Sequence, residues 1–117
     1  MNLAHERSRS VNFIALQVSL QFIETLRDPV AKLAQHDSSL ADQVRRAASS
    51  AALNLGEGRK RAGKDRRQFW RVGAGSAEEA RTALLVAEAW GYLEASALAA
   101  PLAVGDRLIG LLWGLCR

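Results

Sequence analysis

The chain has 117 residues, enough for one domain with a single modest core. Hydrophobic residues make up 49% and charged residues 24%, which excludes a disordered chain; Ala and Leu dominate and only two prolines occur, which points to helices throughout. Net charge is +4, but Arg59, Lys60, Arg61, Lys64, Arg66, Arg67 and Arg71 crowd one segment against Asp65 alone, so the positive field is a local patch that suits phosphates or an acidic partner.

Residues 1–9 are polar and read as a flexible tail ahead of a single domain over 10–117. The first helix is predicted from about Ser10 to Arg27. Phe13, Leu16, Leu20 and Ile23 share one face, taken as the bundle core. Ile14, Val18 and Phe22, with Val11, lie nearly opposite, and a helix apolar on two sides needs two neighbours. The second face is therefore a candidate subunit interface. Asp28-Pro29 punctuates this helix by a kink or a new first turn, and the pattern continues through Val30 and Leu33 to about Gln35.

Ser39-Leu40-Ala41-Asp42 reads as a capping box with Asp in the acidic position, opening a second helix that runs to about Glu57. Leu40, Val44, Ala47, Ala48, Ala51 and Leu55 form its core stripe. Leu53 points the other way, beside Arg46 and Ser49, and small residues around one outward Leu suit approach by another subunit. A stray exposed Leu is the competing reading. Gly56 and Gly58 are expected to end the helix in a basic loop that closes at Gly63.

The third helix is predicted over about Lys64–Tyr92. Its main stripe is Phe69, Val72, Gly73, Ser76, Ala80, Ala83, Leu84, Ala87 and Trp90, with Trp70, Ala74, Ala77 and Leu85 well to one side. Trp70 is thus a candidate interface anchor. Gly73 and Gly75 inside a helix each cost on the order of 1 kcal/mol, which close contact with a neighbouring helix would offset. After a connection over Glu94–Ala100, a fourth helix is predicted from Pro101, with Leu102, Gly105, Leu108, Ile109, Leu112 and Leu115 inward. Four helices with short connections give an all-α, antiparallel up-down-up-down four-helix bundle.

Little in this pattern supports chemistry. His5 and His36 have no ligand partner at helical spacing, and the lone Cys116 excludes an intrachain disulfide. No ExxH pair and no Gly-Lys-Ser/Thr loop is present, and Ser49 and Ser76 have no His on their face. No catalytic residue, metal or cofactor is assigned. The start, Met1–Arg7, does not read as a signal peptide. The apolar run near the C-terminus, broken by Asp106-Arg107, reads as too short for a bilayer. The expected location is cytoplasmic, with no membrane partner.

Two groups remain. Asn54, Ser76 and Glu79 sit near the edges of their stripes and are expected to share hydrogen bonds that fix how helices two and three meet; a solvated Glu79 is the alternative. The seven cations of the basic segment are expected to meet nucleic-acid phosphates. Lys64, Arg66, Arg67 and Arg71 stand in the first turns of a helix, against its dipole, a mild cost that hints at a use for the charge. A solvated basic turn competes with this reading.

Gln43-Val44-Arg45-Arg46-Ala47-Ala48, then Asn54-Leu55-Gly56-Glu57-Gly58, then Phe69 through Gly75-Ser76-Ala77-Glu78-Glu79 resemble a family signature. The family comprises small four-helix-bundle proteins encoded by intervening sequences in bacterial large-subunit ribosomal RNA genes. The accessory variability protein of diversity-generating retroelements is similar. Gly56 departs from the Ala common there, and Arg81 from a second acid. The resemblance implies a homopentamer, and in the retroelement relatives a basic barrel that binds a reverse transcriptase and RNA or DNA. A structural adaptor that engages only protein is the other functional class open at this point.

Overall fold

A computed structural model describes the backbone from Leu3 and the side chains from Ile14 onward. Four helices follow in order: α1 (Leu3–His36), α2 (Ser38–Arg59), α3 (Gly63–Ala89) and α4 (Ala95–Leu115). α1 packs on α2 and α4, α2 on α3, and α3 on α4, so consecutive helices are neighbours and the last returns to the first. That is an antiparallel up-down-up-down bundle. α1 has 34 residues and α2 has 22, so α1 overruns its partner at the end that also carries the α2–α3 connection and the C-terminus of α4. The far end is closed by His36, whose ring stacks on Tyr92 at 5.3 Å.

Helix limits depart from the sequence pattern where tertiary contacts override local signals. α1 begins at Leu3, not near Ser10, and it runs unbroken through Pro29. Leu26, Pro29, Val30 and Leu33 are buried on one continuous row across the proline. Burying each aliphatic side chain is worth ~1.5–3 kcal/mol, enough to offset the ~3 kcal/mol that an interior proline costs. The same holds at Pro101, which lies inside α4 rather than at its start; Leu98, one turn earlier and 1% exposed, anchors the helix start in the core.

The cap of α2 is Asp37, whose Oδ1 accepts from the Leu40 N–H at 2.9 Å, and not the Ser39–Asp42 box. Asp42 instead pairs with Arg45 at 2.8 Å. α3, expected to about Tyr92, ends at Ala89 with Trp90 as C-cap; Gly91, φ 79°, closes the cap and the Tyr92 N–H donates to the Ala87 carbonyl at 2.9 Å.

The faces of α1 are exchanged relative to expectation. Val18 and Phe22, assigned to a subunit interface, are 3% and 0% exposed and lie in the core with Ala15, Ser19 and Leu26. Leu20, assigned to the core, is 48% exposed. Leu16 and Ile23 are half-buried, Ile14 is exposed, and Val11 and Phe13 fall outside the described side chains. On α3 the predicted stripe holds at Gly73, Ala80, Ala83, Leu84 and Ala87, and the core extends sideways from it. Trp70 is buried with Ala74 and Ala77, whereas Val72 and Trp90 are exposed. Ala and Ser made the difference, because they complete the buried rows but add little to a stripe judged by large side chains.

By length and composition, α4 is long and apolar enough to cross a membrane, with a mean hydropathy of 1.4 over its span. The run is longer than expected because the helix starts at Ala95 rather than at Pro101. In the bundle, Leu98, Gly105, Leu108 and Leu112 are buried, and Asp106 accepts from Arg81 Nε at 2.6 Å.

Candidate nucleic-acid interface

The α2–α3 hairpin holds the basic segment, and it is tighter than a glycine-ended loop. α2 continues past Gly56 and Gly58 to Arg59, with Lys60 as C-cap. Gly58 serves clearance: a Cβ there would overlap Nε1 and Cδ1 of the Trp70 indole. The indole lies across α2 and donates from Nε1 to the Leu55 carbonyl at 3.2 Å. Gly63, φ 59°, turns the chain into α3 in a conformation that favours glycine.

Two of the seven cations are engaged inside this hairpin. Arg66 donates from Nε to the Gly58 carbonyl at 3.1 Å and from Nη2 to the Arg59 carbonyl at 3.3 Å, so it caps the C-terminus of α2. Its guanidinium also lies 5.4 Å from the Trp70 ring centroid. Arg61 donates to Glu57 at 3.0 Å and to Asp65 at 3.3 Å, and it sits 5.1 Å from the Phe69 ring centroid. The Glu57 hydrogen bond and the Asp65 charge shift Arg61 further toward its charged form.

Lys60 reaches Glu57 only at 3.9 Å. Arg59, Lys64 and Arg71 are exposed and Arg67 is half-buried; none of these four has an ion-pair partner among the described residues. Burial pushes the Cys116 thiol above its ordinary pKa, and Arg71 partly counters that.

The polar residues at the α2–α3 seam meet through one that the sequence pattern did not single out. Ser50 Oγ lies 2.8 Å from Ser76 Oγ, and Asn54 Nδ2 donates to Ser50 at its carbonyl (2.9 Å) and its Oγ (3.0 Å). Ser50 therefore links Asn54 to Ser76. Glu79 stands apart, exposed, accepting from Gln43 Nε2 at 3.4 Å. Nearby, Gly73 lets α2 approach closely: a Cβ would come within 3.3 Å of the Ala51 carbonyl.

Among the other interface residues, Leu53 is 72% exposed, and Arg46 and Ser49 lie beside it along a shallow hollow on α2. On α3, Val72, Val86 and Trp90 form an exposed row, with Trp90 at 70%. The Trp90 ring stacks on Tyr92 at 6.3 Å, which in turn stacks on His36, so this exposed indole is held in place. An apolar groove of about 400 Å³ runs between α1 and α2, lined by Ile23, Leu26, Val30 and Ala48, with Arg27 and Arg45 at its rim.

The family model for 23S rRNA-intervening sequence proteins matches residues 12–113. The chain belongs to that family. No curated protein and no solved structure matches it. The match spans the whole hairpin of this intervening-sequence protein, together with the exposed rows on α2 and α3. Among the described residues of this family member, no three His, Cys, Asp or Glu side chains are grouped to hold a metal ion. The residues that pattern reading missed, Ser50 and Trp90, carry weak signals: one is a small polar residue beside another, the other an aromatic at the turn where its helix ends.

Proposed function

We propose that this 23S rRNA-intervening sequence protein is a non-enzymatic, cytoplasmic homo-oligomer, a ring of five copies, that holds nucleic-acid phosphates on the cations left over at its α2–α3 hairpin. The observation that carries the reading is the division of labour among those cations. Arg61 and Arg66 are spent on building the hairpin, while Arg59, Lys64, Arg67 and Arg71 project from it without acidic partners among the described residues. Cations gathered without counter-charges repel one another, and a polyanion relieves that. The sequence motifs that resemble those of retroelement accessory proteins extend the proposal to a reverse transcriptase bound to nucleic acid as a partner of suitable chemistry.

Assembly is supported by two surfaces that do not overlap. The Val72, Val86 and Trp90 row on α3 is an exposed ridge that includes Glu79; the α1–α2 groove is apolar with Arg27 and Arg45 among its lining. Ridge and groove are both apolar, and the Glu79 carboxylate is opposite in charge to Arg27 and Arg45. A contact between different faces of identical copies is heterologous and closes into a ring when the rotation allows.

The test is a fluorescence titration of a short single-stranded RNA with the wild-type protein and with Arg59, Lys64, Arg67 and Arg71 all changed to Gln. Binding by the wild type that the variant loses, with helicity unchanged, is the expected result. Equal binding by both proteins removes the hairpin from the account. Absence of RNA binding, with an acidic protein captured instead, favours an adaptor.

A further inference from the structure

The chain's three tryptophans have different fates. Trp70 is buried with its N–H used, and Trp90 stands at the far end of the bundle on Tyr92. Trp113 lies in the last turn of α4, the end of that helix directed toward the hairpin, 39% exposed. Its Nε1 donates to Glu78 Oε1 at 3.0 Å, which ties the edge of the indole to α3 while part of the ring stays open to solvent.

What surrounds Trp113 is bare on one side and cationic on another. Gly110 and Gly114 are exposed, and a Cβ on either would meet nothing within 4 Å, so no side chain of their own shields that flank of the ring. On α3, Lys64, Arg67, Arg71 and Glu78 follow at three-, four- and seven-residue steps and share one side of the helix. The three cations span ~10 Å of helix axis, and Glu78 lies ~10 Å further on. The Arg71 charge also acts on Cys116, the C-cap of α4 three residues beyond Trp113, so it lies within electrostatic range of that helix end.

We infer that this α3–α4 face binds an unpaired nucleotide segment, with one base stacked on Trp113 and the adjoining phosphates on Lys64, Arg67 and Arg71. The inference rests on the phosphate reading of the hairpin and adds the strandedness of the ligand. A duplex hides its base faces and offers only phosphates, whereas an unpaired base has a free π-face for an indole. Glu78 sharpens the placement. Its carboxylate repels phosphate, so the backbone keeps to the Lys64–Arg71 stretch and the base falls at the tryptophan.

The test uses fluorescently labelled 12-nucleotide single-stranded RNA, single-stranded DNA of the same sequence, and the blunt RNA duplex. Each is titrated against wild type, Trp113→Leu and Trp113→Phe. The expected result is that Trp113→Leu weakens single-strand binding by about tenfold. Duplex binding should stay unchanged, and Trp113→Phe should retain most of the single-strand affinity. The two single-stranded probes distinguish RNA from DNA as the source of the base. If Trp113→Leu binds single strands as the wild type does, or loses duplex binding equally, the inference is overturned while the phosphate reading stands. If the wild type binds none of the three, both fall together.

Discussion

At Gly58 one missing methyl group decides how closely α2 and α3 approach. The indole of Trp70 occupies the space where a Cβ would lie. Gly58→Ala should therefore destabilise the protein by ~1–3 kcal/mol through overpacking, even though Ala is the better helix former by ~1 kcal/mol. Gly75 is the contrast. It is exposed, and a methyl group there would meet nothing within 4 Å, so Gly75→Ala should stabilise an isolated chain by up to ~1 kcal/mol. Urea denaturation of the two variants reads both signs; an unaltered midpoint for Gly58→Ala would contradict the packing described. In the sequence these glycines look alike. Gly58 reads as a helix stop because clearance for an aromatic ring and a left-handed cap call for the same residue, and the ring, Trp70, is twelve positions away.

At the scale of elements, the hairpin is a clamp built from two arginine–aromatic pairs. Arg66 joins the end of α2 to the start of α3 through two carbonyls and the Trp70 face. Arg66→Ala should cost ~1–2 kcal/mol, the worth of charge-assisted bonds to carbonyls in the last turn of a helix. Arg67→Ala, one residue on, should leave the denaturation midpoint within ~0.5 kcal/mol of wild type, as surface changes do. Equal losses from both would mean that the clamp is not at Arg66.

Helix number and order were legible at this scale, since Gly91 and the 3.6-residue rows mark them. The rotation of α1 was not. Its core row includes Ala15 and Ser19, the latter satisfying itself by donating to the Leu16 carbonyl at 2.7 Å, and neither residue advertises burial by size or polarity. Pro29 and Pro101 misled for a related reason. A proline's local penalty is visible in sequence, but the burial that outweighs it depends on neighbouring helices.

For the whole molecule, the exposed apolar surface is the feature that a single copy leaves unexplained. Leu53, Val86 and Trp90 are 72%, 40% and 70% exposed in a chain of 12.7 kDa. Light scattering at micromolar concentration should give a multiple of that mass, and Trp90→Ala combined with Val86→Ser should lower it toward the single chain. An unchanged oligomer in that variant would move the contact away from the α3 ridge. The sequence signalled an apolar surplus but placed it partly on Val18, Phe22 and Trp70, which the core absorbs.

The basic end was legible as charge, because its residues are contiguous in the chain; which cations were free was not, since that depends on the folded positions of Glu57, Phe69 and Trp70. The most direct measurement is therefore the ionic-strength dependence of single-stranded RNA binding. With Arg59, Lys64, Arg67 and Arg71 each neutralising a phosphate, the logarithm of the binding constant should fall with the logarithm of salt at a slope of roughly −3 or steeper. Changing those four residues to Gln should flatten that slope. Binding that ignores salt, or a slope that survives the four substitutions, would contradict the account.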